Sequence, residues 1–180
     1  MNFFLDTEFI ESGSTKPITL ISVGIVAEDG REYYAVSNKF KDEDCNDWIK
    51  KNVLPHLGDV PRKSLRDIAC DLIDFVNRGV TLPDYAPPVF WGYYADYDWV
   101  VFCQLYGRMI DLPRGLPMWC HDIKQEMWRR GLKREDLPQQ DEVEAHSALA
   151  DAHWNRRALE FIMSLDMGLR PEPRKEHGGA

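Results

Sequence analysis

The amino-acid sequence predicts an α/β fold, in which helices flank a mixed sheet made of a three-stranded antiparallel meander and further parallel strands. Two observations carry this prediction. The first 37 residues contain three short runs rich in β-branched and aromatic residues, separated by turn residues. From residue 44 onward, stretches with apolar residues at helical spacing alternate with brief apolar runs. This alternation is typical of chains whose helices pack on the faces of a sheet.

The N-terminal strands are predicted at residues 3–8, 18–26 and 32–37, where Phe, Tyr, Ile and Val predominate. Residues 12–17 between the first two strands have turn composition. The Asp29-Gly30 pair between the second and third strands is a strong hairpin signal. The three strands are therefore predicted to form an antiparallel meander.

The rest of the chain is predicted to alternate between helix and strand. Ser64 and Gly79 are the predicted N-cap and end of the most regular helix. Asp96 and Ser147 are the predicted N-caps of two later helices. The predicted helices are residues 44–52, 64–77, 96–106, 122–130 and 147–164, the predicted strands are 89–93 and 118–121, and a polar linker is predicted at 133–141.

Length and composition favour one domain. The chain has 180 residues, 44% of them apolar, so residues 1–165 are predicted to fold as a unit, with a disordered polar tail at 166–180. No apolar run approaches the roughly 20 residues that cross a bilayer, and no export signal is recognisable at the start, which predicts a cytoplasmic location. The cysteines show neither a CxxC pair nor zinc-finger spacing and are predicted to be reduced: Cys45, Cys70, Cys103 and Cys120.

The net charge of −8 argues against nucleic-acid binding through a basic surface alone. Divalent cations bound in a carboxylate-lined cleft would reverse its local charge, so the composition permits a metallonuclease. A nucleotide-binding α/β protein is disfavoured, because the chain has no glycine-rich phosphate loop. Three basic clusters are interpreted as solvated surfaces: Arg62, Lys63 and Arg66; Arg129, Arg130, Lys133 and Arg134; and Arg156 and Arg157.

Asp6 and Glu8 are the first candidates for a metal site. They are two residues apart on a predicted strand, so both side chains project from the same face at its C-terminal end. Adjacent carboxylates repel each other unless a positive group joins them. Asp98, at the start of a predicted helix, is a candidate partner. The alternatives are an exposed strand face and an acidic first turn that complements a helix dipole without a metal.

His146 and Asp151 form the second candidate group. On one continuous helix, residues five apart differ in direction by about 140°, so these two would not share a face. If both serve one site, His146 must precede the helix that carries Asp151. The alternative is a loop histidine followed by an aspartate that only complements the helix dipole.

Taken together, three motifs carry a family resemblance. Asp-Thr-Glu-Phe at 6–9, Asp-Tyr-Asp at 96–98 and His-x4-Asp at 146–151 follow one another in this order. The sequence thereby resembles the DEDDh 3′-to-5′ exonucleases, which have a ribonuclease H-like fold. Over about residues 1–165 it is similar to the mycobacterial 3′-exoribonuclease family, notably at residues 6–10, 26–37 and 103–107.

The resemblance implies a site in which Asp6, Glu8, Asp98 and Asp151 hold two Mg²⁺ or Mn²⁺ ions, with Glu8 counted among the catalytic residues. His146 would be the general base that takes a proton from the attacking water. The reaction would release nucleoside 5′-monophosphates from single-stranded RNA 3′ ends. The resemblance also implies a homodimer.

Several assignments stay open at this stage. Asp96 competes with Asp98 as a ligand, although Asp98 matches the motif better, with an aromatic residue before it and apolar residues after it. Thr7 and Phe9 are candidate substrate contacts, and Phe9 is either a base-stacking or a core aromatic. Three other aromatic residues are interpreted as packing residues: Trp91, Tyr93 and Tyr94.

Two alternative functions remain. A DNA 3′ exonuclease of the repair or proofreading type would use the same five residues, because recognition of the sugar depends on contacts that sequence does not place. A non-catalytic nucleic-acid-binding module of the same fold would be expected to have lost part of the acidic set, and all five positions are filled.

Overall fold

The protein, analysed as a computed structural model, contains a five-stranded sheet with the order β3-β2-β1-β4-β5. The structure describes residues 1–11, 13, 17–78, 87–140 and 146–166. β2 pairs antiparallel with β1 and β3, whereas β4 pairs parallel with β1 and β5. The predicted mixed sheet with its meander is therefore confirmed. Its strands are β1 (Asn2–Ile10), β2 (Thr19–Ala27), β3 (Glu32–Val36), β4 (Val89–Gly92) and β5 (His121–Asp122).

In the part of the chain that the structure describes, five α-helices flank the sheet. Ser64 caps the second helix as predicted, because its hydroxyl accepts a hydrogen bond from the Asp67 backbone N–H. Among the described residues, no helix is long and apolar enough to cross a bilayer, and the four cysteines are free thiols. The helices are α1 (Asp47–Asn52), α2 (Leu65–Asn77), α3 (Asp96–Gln104), α4 (Ile123–Arg129) and α5 (Ala148–Asp166), and short 3-10 helices occupy Asp42–Asp44, Leu54–His56, Met109–Asp111 and Arg134–Asp136.

One helix start and one N-cap differ from the sequence prediction. The helix predicted from residue 44 begins three residues later, because the Asn46 side chain accepts from the Ile49 N–H and caps α1 there. Asp96 is not an N-cap: that position is Ala95, without a side-chain hydrogen bond, and Asp96 is the first residue of α3. The sharp turn from β4 places Tyr94 in the left-handed region, at φ 56°, immediately before this cap.

The strand predicted at 118–121 is wrong for its first three residues. Only two residue pairs join β4 to β5, Trp91 with His121 and Gly92 with Asp122. In this parallel register, residues 119 and 120 would lie opposite Val89 and Phe90, which pair with β1 but not with this segment, so the pairing that defines β5 begins only at His121. The predicted helix end at Gly79 and most of the predicted tail lie outside the described residues.

The sheet buries both faces around β1. Phe3 and Leu5 pack with α2 and α3 on one face, whereas Phe4 packs with α4 and α5 on the other. This division follows from the alternation of side chains along a strand. A third cluster joins Ile10 at the end of β1 to α1, β2 and β3. β1 is thus the central strand of the sheet.

Gly24 on β2 brings α5 close to the sheet. A Cβ atom at this position would lie 2.3 Å from the carbonyl oxygen of Ala148, at the first residue of α5. Any side chain there would collide with the helix backbone. Gly24 is also the register partner of Asp6 on β1. The close approach therefore sets the first turn of α5 beside the candidate site.

Candidate active site

Asp6 and Glu8 lie on β1 beyond its pairing with β4, which ends at Phe4. Burial raises the pKa of Asp6 well above its usual value, and the charges of Asp98, Asp151 and Glu8 raise it further. Burial, followed by the charges of Asp151 and Asp98, raises the pKa of Glu8 to about 8. The four carboxylates therefore lie close enough together for their charges to interact.

Asp98 is held in place by β1. It is buried in the first turn of α3, and its Oδ1 accepts hydrogen bonds from the Thr7 backbone N–H at 2.8 Å and the Thr7 hydroxyl at 2.5 Å. Burial raises the pKa of Asp98 to about 6, and the bonds from Thr7 oppose this rise. Asp96 is exposed, so of the two competing aspartates only Asp98 faces the cluster. Thr7 orients this carboxylate, and its predicted substrate contact stays a prediction.

Asp151 lies in the first turn of α5. His146 precedes the helix, as geometry requires, with its backbone in the left-handed region at φ 67°. Its N–H donates to Asp151 Oδ2 at 3.1 Å, and the Gln140 amide donates to Asp151 Oδ1. Burial raises the pKa of Asp151, while the contacts with His146 and Gln140 oppose this rise. Ligand atoms of Glu8, His146 and Asp151 all lie within 4.8 Å of one another.

Two aromatic pairs lie next to the acidic residues. Phe9, half-buried, stacks on the exposed Tyr97 with ring centroids 5.8 Å apart and an interplanar angle of 9°. Phe9 also packs against the core, so its predicted contact with a terminal base stays a prediction. Trp48 on α1 meets the His146 ring edge-on at 4.8 Å and is 53% exposed. Sequence analysis did not identify Trp48, because no motif connects α1 to His146.

A cavity of about 140 Å³ adjoins the carboxylates. Tyr93 packs against Trp154 in its wall, and Trp91 is buried, which agrees with their interpretation as packing residues. Tyr94 is 59% exposed, and its ring packs edge-on against that of Tyr93, with centroids 4.7 Å apart. Arg134, interpreted as solvated surface, is exposed and also lines the cavity. The lining residues are Asp6, Tyr93, Arg134, Gln140, His146, Asp151, Trp154 and Asn155.

The donor set of this site fits divalent cations. Of the four carboxylates, that of Asp98 is buried and the other three are half-buried. Their pKa values are all raised, so they are costly as anions without positive charge, and oxygen ligands suit hard cations such as Mg²⁺ and Mn²⁺. Three elements supply these carboxylates: β1, α3 and α5. The structure therefore brings together the four candidate metal ligands and the candidate base: Asp6, Glu8, Asp98, Asp151 and His146.

Comparison with solved structures identifies proteins of the same fold. The nuclease domain of 3′hExo, described as a DEDDh family member bound to rAMP, superimposes with a TM-score of 0.56 at 12% identity, covering 97% of this chain and 96% of that chain. A 3′-exonuclease solved for 3′-end specific recognition of a histone mRNA stem-loop gives a TM-score of 0.53 at 13% identity, covering 93% and 82%. At these identities the likeness concerns the ribonuclease H-like fold.

Sequence comparison identifies the family. The 3′-5′ exoribonuclease Rv2179c of Mycobacterium tuberculosis (strain ATCC 25618 / H37Rv) is 39% identical over 169 residues, which cover 92% of this chain and 95% of the relative. A family model described as the Rv2179c-like 3′-5′ exoribonuclease domain matches residues 1–163. Since the match spans all five candidate residues and nearly every described element, the chain belongs to the Rv2179c-like 3′-5′ exoribonuclease domain family.

Proposed function

We propose that this protein is a 3′-to-5′ exoribonuclease that uses two divalent ions, Mg²⁺ or Mn²⁺, to release nucleoside 5′-monophosphates. The observation that carries the proposal is the cluster of four carboxylates, those of Asp6, Glu8, Asp98 and Asp151, beside His146. Membership of the exoribonuclease family supports the choice of reaction. The names of the similar proteins, which mention an exoribonuclease, rAMP and a histone mRNA stem-loop, support RNA as the substrate.

Each residue of the site has a defined role in this proposal. The carboxylates of Asp6, Glu8, Asp98 and Asp151 would hold the two ions. When bound, such ions supply an activated water and neutralise the departing 3′ oxygen of the penultimate nucleotide. The His146 imidazole accepts a proton from the attacking water. Its backbone hydrogen bond to Asp151 keeps the imidazole next to Glu8.

The aromatic residues near the site suit the end of a single strand. We propose that Phe9, supported by its stacking on Tyr97, contacts the terminal base. Base–aromatic stacking contributes about 1–3 kcal/mol per base and does not depend on base identity. The homodimer, the cytoplasmic location and the boundary at residue 165 stay predictions, to be checked by light scattering, cell fractionation and limited proteolysis.

Matched RNA and DNA oligonucleotides test the proposed activity. Single-stranded RNA with a free 3′ hydroxyl should be shortened stepwise to 5′-monophosphates in Mn²⁺ or Mg²⁺ and left intact in EDTA. A 3′-blocked RNA should resist, and the DNA of the same sequence should be degraded more slowly. The variant Asp6→Ala is the control and should lose activity at least about 100-fold, because a carboxylate is removed from the ion site. Faster degradation of DNA would favour the DNA exonuclease, and a fully active Asp6→Ala would exclude the ion site.

A further inference from the structure

Arg134 lies against an aromatic platform on the wall of the active-site cavity. Its guanidinium carbon is 3.7 Å from the centre of a Trp154 ring and 5.8 Å from that of Tyr93. Trp154 itself is 2% exposed, and its indole N–H donates to the Pro138 carbonyl at 2.9 Å. The platform is thus fixed. A guanidinium stacked on an indole keeps its plane fixed and directs its N–H groups outward at the edges.

A directed chain of hydrogen bonds connects Arg134 to the acidic cluster. Its Nη2 donates to Gln140 Oε1 at 3.0 Å, and the Gln140 Nε2 donates to Asp151 Oδ1. A guanidinium only donates and an ionised carboxylate only accepts, so these two neighbours determine the orientation of the Gln140 amide. Asp151 also accepts from the His146 N–H. A displacement of Arg134 would therefore reach both Asp151 and the segment that holds His146.

Arg134 differs from its neighbour Arg130 in its charge partners. Arg130 is paired with Glu126 at 2.6 Å and Asp166 at 2.5 Å. Within the described part of the chain, Arg134 takes part in no ion pair, and its hydrogen bond to Gln140 uses one of five N–H donors. It is therefore a cation with donors available for an anion, on the cavity that Asp6 and Asp151 also line.

These observations point to a contact with substrate. We propose that Arg134 binds one backbone phosphate of the RNA beside the carboxylate cluster, and that Gln140 transmits this contact to Asp151. The proposal rests on the exoribonuclease function proposed above. A planar guanidinium forms two parallel hydrogen bonds to phosphate, which a lysine does not reproduce. In a chain of net charge −8, such a cation would hold the strand in position for cleavage.

Binding measurements with three variants test the phosphate contact. The variants are Arg134→Gln, Arg134→Lys and, as a matched control on an exposed position of α2, Arg66→Gln. The probe is a fluorescently labelled single-stranded RNA, and Ca²⁺ replaces the catalytic ions during binding. Arg134→Gln should raise Kd and KM about tenfold and reduce the slope of log Kd against log salt concentration by about 0.7, the value for one phosphate on a single strand. Arg134→Lys should recover the slope but only part of the affinity, and Arg66→Gln should match wild type.

Uncharged linkages distinguish a direct contact from a purely structural role. RNAs carrying a single methylphosphonate at successive linkages near the 3′ end are bound to wild type and to Arg134→Gln. At one linkage, the methylphosphonate should weaken binding to wild type but should not weaken binding to Arg134→Gln any further. The modification and the substitution would each remove the same contact. Gln140→Leu should lower kcat more than it raises KM and leave the salt slope unchanged, since Gln140 positions Asp151 and touches no phosphate.

The outcomes separate this proposal from the function on which it rests. If wild type degrades RNA and Arg134→Gln keeps its Kd, KM and salt slope, the phosphate contact is refuted and the exoribonuclease function stands. If the loss of RNA-binding free energy caused by Arg134→Gln adds to the loss caused by the methylphosphonate at every linkage, the phosphate contact is refuted as well. If wild type degrades no RNA but binds it with Arg134-dependent salt sensitivity, the hydrolytic function fails and the phosphate contact stands.

Discussion

At the scale of single residues, His146 lies between the carboxylate cluster and the indole of Trp48. The edge-on contact limits the directions that the imidazole ring can take. Trp48→Leu should therefore lower kcat about three- to tenfold, the equivalent of the roughly 0.5–1.5 kcal/mol that an aromatic pair contributes. Steady-state hydrolysis of a short RNA at saturating metal measures the effect.

The control for Trp48→Leu is Trp128→Leu, since Trp128 on α4 is 81% exposed. That variant should retain wild-type kcat. In the background His146→Asn, Trp48→Leu should have little further effect, because the ring that it positions is gone. An equal loss in both backgrounds would show that Trp48 acts on something other than His146.

The sequence alone predicted the acidic residues of the site correctly, but it did not predict the residues that hold them in position. Asp6 and Glu8 could be predicted to share a face because strand geometry is local. His146 could be predicted to precede its helix because helix geometry is local as well. Trp48, Arg134 and the other supporting residues contact the site through packing of segments far apart in the chain, and no spacing rule encodes such contacts.

At the scale of elements, the contact of β2 with α5 depends on Gly24. Gly24→Ala would place a methyl group against the helix backbone at Ala148, so α5 must shift and carry Asp151 with it. We expect a loss of about 1–3 kcal/mol in the free energy of unfolding, as is usual for overpacking, and a fall in kcat of at least about tenfold. Urea denaturation and hydrolysis assays on the same samples measure both quantities.

Val23→Ala is the matched control for Gly24→Ala. Val23 is the preceding residue of β2 and packs on the opposite face, in the cluster with α2 and α3. This variant should lose stability through a cavity but keep kcat at temperatures where it is folded. If Gly24→Ala lost stability but kept full kcat, α5 would tolerate the shift without displacing Asp151.

The bounds of elements that depend on local sequence signals were predicted closely. The bounds of elements that depend on contacts with other segments of the chain were not. The Asp29-Gly30 hairpin and the Ser64 cap are encoded within a few residues. The length of β5 depends on how far residues 118–122 lie alongside β4, which is a property of two segments together. The misplaced cap at Asp96 has the same origin, because the turn at Tyr94 brings Ala95 into the cap position.

At the scale of the whole molecule, the four carboxylates couple stability to pH and metal. Folding raises their pKa values, that of Glu8 to about 8 and that of Asp98 to about 6, so the folded protein binds more protons than the unfolded chain. The resulting stabilisation is present below the usual carboxyl range and is lost as pH rises towards 8. Without metal, the melting temperature should fall by about 5–10 °C between pH 5.5 and 8.

Added Mn²⁺ should reverse this trend, since cations bind the deprotonated carboxylates. The rise in melting temperature on adding Mn²⁺ should be larger at pH 8 than at pH 5.5, as measured by differential scanning fluorimetry against an EDTA control. Asp6→Asn should melt higher than wild type in EDTA at pH 8 and respond less to Mn²⁺. A metal-free melting temperature that stays constant or increases over this pH range would contradict the raised pKa values of the four carboxyl groups.

The left-handed backbone of His146 has a consequence for protein engineering. A residue other than glycine in that region lowers the free energy of unfolding by roughly 1–2 kcal/mol. Glycine at position 146 would relieve this strain while removing the imidazole. Selection of a variant library for heat resistance alone would therefore enrich inactive molecules at this position. Stability and activity oppose each other at one residue, so a thermostable form of this enzyme has to be selected with its activity as a simultaneous criterion.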